Sequence, residues 1–139
     1  FADWLAKQDG KALQTLLHDK ADKQQAQDDP DAGRKWVERL QSAAAGQPSD
    51  AVQRSGLRLA VHYLKTMKNG NPIDPVARFH LGNGARIERV NWAADCSAKG
   101  MAQSCGLMVN YVYELDQLDD NLAQLAAGKP KTGLNLRWL

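Results

Sequence analysis

Three histidines, His18, His62 and His80, are the side chains best suited to moving protons near neutrality, because an imidazole ordinarily titrates at about 6.5. His18 stands at the polar end of a helical pattern and reads as a solvent-facing residue. His62 lies among apolar residues on a longer helical pattern and reads as a packing histidine. His80 comes in the last turn of a short helical pattern, just ahead of Gly82, where a side chain can meet a cleft. It is either a polar residue of the core or a general acid. Tyr111 and Tyr113 alternate with Asn110 and Val112, so by the period of a strand the two tyrosines face one side. Their hydroxyls could orient a carboxylate or a carbonyl, or could form the rim of an aromatic core. Asn91, Trp92 and Asp95 stand at a strand exit, where Asp95 could orient an imidazole or cap the turn before Ser97. Ser97, Ser104 and Cys105 are nucleophiles by type alone, since no GxSxG and no Cys–His motif surrounds them. No GxGxxG or GxxxxGK[ST] loop is present to cradle a phosphate. The run QSCGLM, Gln103 to Met108, superficially resembles the pyrophosphate loop of acetyltransferases, but it ends on Met108 and precedes a strand.

The elements that must position these groups follow from periodicity and stop signals. Phe1 to His18 has apolar residues at helical spacing, interrupted at Asp9-Gly10. Asp19 to Gly33 is rich in Asp, Gln and Lys and reads as a solvated helix end or loop. Asp31 is placed to cap a helix running to Ala45, with Trp36, Val37 and Leu40 as its stripe. Gly46-Gln47-Pro48 stops it, and Ser49 or Asp50 starts a third helix whose apolar face runs from Val52 to Met67. Asn69-Gly70-Asn71-Pro72 supplies turn chemistry. Asp74-Pro75 then places a capping carboxylate before a first-turn proline. In the short helix that follows, Val76, Phe79 and His80 share one face, and Gly82-Asn83-Gly84 closes it. Arg86 to Trp92 and Leu107 to Leu115 read as two antiparallel strands, with Cys96 to Ser104 between them as a loop or short helix. Gly128 to Leu139 reads as a loosely held tail.

The totals bound the class. The 139 residues suit one ordinary domain, with 43% hydrophobic and 24% charged residues, which is globular composition. Eighteen basic against sixteen acidic residues, a net charge of +2, is too balanced for a dedicated nucleic-acid partner. No apolar run is long enough to span a bilayer, and no membrane partner is expected. Cys96 and Cys105 have no CxxC or CxxH spacing, so neither a zinc site nor any other metal is expected. The chain opens on Phe1 inside an amphipathic pattern and reads as a piece of a longer protein.

The stretch from Asp74 to Tyr113 resembles the carboxyl-terminal part of malonyl-CoA decarboxylases. The resemblance is carried by DPVA-x-FHL-x-NGA (Asp74 to Ala85), R-x-NW-x-AD-x-S (Arg89 to Ser97) and QSCGLMVNYVY (Gln103 to Tyr113), about forty residues in one order. It implies an α+β fold: helices, then the final helix and antiparallel strands of an acetyltransferase-like (GNAT-like) catalytic domain. Residues 1–70 would be its helical segment and residues 71–139 its carboxyl-terminal part. It implies conversion of malonyl-CoA to acetyl-CoA and carbon dioxide without a cofactor. His80 would be the proton donor and Tyr113 a second active-site residue; Asn91 and Asn110, in the same motifs, are the expected substrate contacts. The family's catalytic serine and the turns that hold CoA phosphates belong to an upstream segment, so the implied partners are malonyl-CoA or acetyl-CoA, the missing upstream part and a second copy of the enzyme. The ending Leu136-Arg137-Trp138-Leu139 is not a Ser-Lys-Leu address, and a bacterial cytoplasm, or alternatively an organelle matrix, is the expected location. Two other readings are an acyltransferase moving an acyl group from CoA to an amine, which shares the fold, and a non-catalytic helical interaction fragment.

Overall fold

Asp9 ends the first helical pattern and begins the second: its carboxylate accepts a hydrogen bond from the Ala12 amide at 2.8 Å. The computed structural model, which describes residues 1–139, accordingly starts with two short helices, α1 (Ala2–Ala6) and α2 (Gly10–Leu16). Helix α3 (Lys20–Ala26) is capped by Asp19, and α4 (Ala32–Ala45) and α5 (Asp50–Lys65) follow. Asp31 precedes α4 but makes no side-chain cap, contrary to the capping role expected of it. A hairpin, β1 (Met67–Lys68) and β2 (Asn71–Pro72), turns at Asn69-Gly70, both left-handed. Then come α6 (Pro75–Gly82), β3 (Arg86–Asn91), α7 (Ala98–Ser104), β4 (Met108–Val112) and α8 (Leu118–Ala126). Strands β3 and β4 pair as a second small sheet. A 3₁₀ turn, Leu134–Trp138, ends the chain. The class is α+β, as expected.

The chain divides into two compact units, residues 1–60 with 91–108, and residues 61–90 with 109–139. The core of the first unit gathers Leu5, Leu13, Leu17, Trp36, Leu40, Leu59 and Cys105. The expected stripe of α4 is realised: Trp36 and Leu40 are buried and Val37 is partly so. The polar run from Asp19 to Gly33 is not simply solvated. Asp22 within it is only 4% exposed, and its carboxylate accepts from Arg39 at 2.8 Å and from Ser55 at 3.2 Å. An unpaired buried carboxylate would cost several kcal/mol, so the two donors are what permit α3 to turn Asp22 inward. The Arg39 guanidinium lies over the Trp36 ring as well, at 4.5 Å, which fixes the donor from its other side.

The thiols are both free, and their surroundings differ. Cys105 ends α7 in a left-handed conformation with its side chain in the core, and burial raises its thiol to about 11. Since the thiolate is the nucleophile, at pH 8 only about a thousandth of this thiol would be reactive. Peptide mapping after iodoacetamide treatment of native protein should therefore find Cys105 unmodified, and modified once the protein is unfolded in urea.

In the second unit the tail is held, not loose. The Ile87 amide donates to the Lys131 carbonyl at 2.9 Å and the Gly133 amide donates to the Ile87 carbonyl at 2.7 Å, so the tail runs parallel beside β3. Leu136 is 9% exposed and anchors its end. Backbone pairing and one buried leucine outweigh the Gly, Pro and Lys content that suggested mobility.

Candidate functional site

The site is built in the second unit from the start of α6. Both oxygens of Asp74 are used. One accepts from the Ala77 amide at 2.9 Å, the cap expected of it, and the other accepts from the Tyr63 hydroxyl at 2.9 Å. Tyr63 is 8% exposed, so α6 begins on an anchored group of α5. The helix buries Ala77 and Leu81, a fully apolar pair four residues apart. That seating turns the Val76, Phe79 and His80 face the other way: Val76 is 57% and Phe79 65% exposed.

The far end of α6 is fixed by its turn. The His80 carbonyl accepts from the amides of Asn83 and Ala85, each at 3.1 Å. Gly84 has φ +91°, and a Cβ there would meet Leu118 at 3.0 Å, so the position requires glycine. Asn121 of α8, 3% exposed, donates to the Gly84 carbonyl at 2.9 Å. Sequence reasoning missed Asn121 and the clasp between Tyr63 and Asp74. The available signals were a polar tip on the apolar face of α5 and an asparagine within the apolar spacing of α8.

Against this frame stands the His80 ring. Its Nδ1 lies 2.7 Å from the Tyr113 hydroxyl oxygen. Its face stacks on Tyr111, with centroids 4.4 Å apart and planes 18° from parallel. The Phe79 ring meets it edge-on at 5.2 Å. The two tyrosines thus approach from one side, as the strand period required. Burial, reinforced by the Asp74 carboxylate, pushes the Tyr111 phenol above its ordinary value, so this tyrosine is a neutral wall at physiological pH. The residue after Tyr113 is pinned: Arg86 donates to Glu114 at 3.0 Å and to Glu88 at 2.6 Å. These bonds raise the Arg86 guanidinium above its usual value, and the bond from Arg86 holds the Glu114 carboxyl below its own.

The other expected site residues are placed as follows. Asn110 is exposed, and by strand alternation it points away from Tyr111. Asn91 belongs to the first unit, where its side-chain amide donates to the Met108 carbonyl at 3.4 Å. His18 is exposed, as expected. His62 is exposed, contrary to the packing role expected of it; partial desolvation and the neighbouring Lys65 lower its imidazole below the ordinary value. Asp95 accepts from the Ser97 amide at 3.1 Å and so takes the turn-capping option. Cys105 and Gly106 are both left-handed and end α7, so QSCGLM is a helix stop. No cluster of His, Cys, Asp or Glu has metal-binding geometry. No helix is long and apolar enough to cross a membrane.

An imidazole held at one nitrogen and on one face, with an exposed tyrosine beside it, is equipped to exchange a proton with a bound molecule. Comparison with known proteins identifies the family of the chain. A family model for the malonyl-CoA decarboxylase C-terminal domain matches residues 1–131. The crystal structure of malonyl-CoA decarboxylase from Cupriavidus metallidurans is similar with a TM-score of 0.85 and 45% identity, covering 99% of this chain and 35% of that one. The corresponding structure from Agrobacterium vitis gives 0.72 and 34%, covering 99% and 32%. The mitochondrial malonyl-CoA decarboxylase of Rattus norvegicus is 49% identical over 74 residues, which is 52% of this chain and 15% of the rat protein. The chain therefore spans about a third of those bacterial structures, and its match takes up a smaller share of the rat protein. A family model matched from the first helix to the start of the tail, and a fold shared along nearly the whole length, make this chain a member of the malonyl-CoA decarboxylase family, corresponding to its C-terminal domain.

Proposed function

We propose that this chain is the carboxyl-terminal part of a GNAT-like catalytic domain that decarboxylates malonyl-CoA, with His80 as the proton donor. The observation that carries the reading is the His80 ring, bonded at Nδ1 to Tyr113 and stacked on Tyr111, in a chain of this family. In the reaction the bond between the carboxylate carbon and the α-carbon breaks. Carbon dioxide leaves, and the electron pair passes into the thioester carbonyl as an enolate. Histidinium at position 80 then gives its proton to the α-carbon, yielding acetyl-CoA, and the neutral imidazole is reprotonated from water. Donors aimed at the enolate oxygen would each supply about 3 kcal/mol. In this reading they lie, with the CoA-phosphate turns and a serine, in the upstream part of the protein. Tyr113 holds the donor ring. Asn91 and Asn110 are proposed contacts to substrate from their own surfaces.

Decarboxylation is separable from acyl transfer by one assay on the full-length protein. Incubation with malonyl-CoA and no acceptor should yield acetyl-CoA and carbon dioxide in equal amounts. Turnover that appears only when an amine is added would replace decarboxylation with acyl transfer. Location is proposed as a bacterial cytoplasm or an organelle matrix; the rat, mouse and goose relatives are described as mitochondrial, which supports the second.

A further inference from the structure

We infer that Nε2 of His80 is the nitrogen that delivers the proton, and that Tyr111 is the positioning residue that keeps it aimed; the inference rests on the decarboxylation reading. The two ring nitrogens are not equivalent. Nδ1 is committed to the Tyr113 hydroxyl at 2.7 Å, and an imidazole with one nitrogen engaged has only the other to present to substrate. That leaves the question of what stops the ring turning. One hydrogen bond defines a point and not a plane: the ring can tilt about it and sweep Nε2 away from the reacting carbon. The second constraint is the Tyr111 face, lying 18° from parallel at 4.4 Å between centroids. Tilting the imidazole about its bond to Cβ drives one edge into that face, which close-packed atoms resist. Phe79 cannot serve as the wall, because it meets the ring at 80° and is itself 65% exposed. Tyr111 is suited to be one: it projects from β4, half-buried, within a strand that pairs with β3.

The face is what matters here, and the phenol oxygen is not. Phenylalanine should therefore replace Tyr111, and a side chain without a flat face should not. In the full-length protein Tyr111→Phe is expected to keep kcat within about twofold, while Tyr111→Leu lowers it by roughly 10²-fold with KM little changed, because a misaimed donor costs rate without costing binding. Should Tyr111→Leu fail to fold, Tyr111→Met keeps apolar volume without a plane and takes its place. A second readout does not depend on turnover. With ¹³C-labelled histidine, and the His80 signals identified by difference from His80→Gln, ¹³C relaxation should show a rigid His80 ring in the wild type and Tyr111→Phe, and a more mobile one in Tyr111→Leu. A leucine variant with wild-type kcat and an equally rigid ring overturns the inference. So does a phenylalanine variant as impaired as the leucine one, since the hydroxyl would then be the agent. If His80→Gln itself keeps full turnover, the decarboxylation reading fails instead, and the relaxation data still report whether Tyr111 holds the ring.

Discussion

His80→Ala in the full-length protein is expected to lower malonyl-CoA turnover by about 10²–10⁴-fold, the range over which a positioned acid–base group acts. KM should change by no more than about threefold, since the imidazole engages the reacting carbon and not the CoA body. The substitution should leave the fold intact, for a reason visible in α6. The helix is held by the Asp74 cap, the Tyr63 hydroxyl, the buried Ala77 and Leu81, and the Asn121 bond to Gly84. None of these uses the His80 side chain. Circular dichroism and a thermal melt matching the wild type would confirm that lost rate is lost chemistry. Tyr113→Phe, which deletes only the bond to Nδ1, should fall between the two, roughly 10-fold down. Unchanged turnover in His80→Ala would remove the imidazole from the reaction and the proposed function with it.

How much of this could be read from residues alone depends on distance along the chain. Asp74-Pro75 announces the start of α6, Gly82-Asn83-Gly84 its end, and period two puts Tyr111 and Tyr113 on one side. Each is a rule spanning five residues or fewer, and each holds. What failed was set by partners far off. Asp22 looks solvated in a polar run, yet its donors sit 17 and 33 residues away. Asn121 stands out in the apolar spacing of α8, but nothing near it in the chain names its partner, a carbonyl 37 residues back. The tail resembles a frayed end until Ile87 pairs with it. The face shared by Val76, Phe79 and His80 was legible as a face. Which side of α6 would be buried was decided by the seating of Ala77 and Leu81, a tertiary choice that periodicity does not encode.

The same limit explains a substitution that local rules would recommend. Gly33 lies in α4, where alanine is the better helix former by about 1 kcal/mol and also restricts the unfolded chain. On those grounds Gly33→Ala should stabilise. The tertiary surroundings reverse the sign. The Gly33 amide donates to the Gln8 carbonyl at 2.9 Å, and a Cβ at this position would stand 2.5 Å from that same oxygen and closer still to the carbonyl oxygen of Leu5. Backbone oxygens at the end of α1 cannot swing aside as a flexible side chain can. Relief requires α1 to move off α4, and that uncovers Leu5 and Trp36, which are 0% and 5% exposed. Overpacking of this kind costs about 1–3 kcal/mol, and uncovering even part of a leucine adds to it, so the net loss should be about 2–3 kcal/mol despite the propensity gain. Gly82 provides the contrast. It closes α6 with nothing within 4 Å of the position a Cβ would take, so Gly82→Ala should be neutral or stabilising by up to about 1 kcal/mol. Paired urea titrations of the two variants decide the matter: a midpoint for Gly33→Ala at or above the wild type would show that the carbonyl ends of α1 yield freely, and that the close approach of α1 to α4 does not depend on a missing side chain.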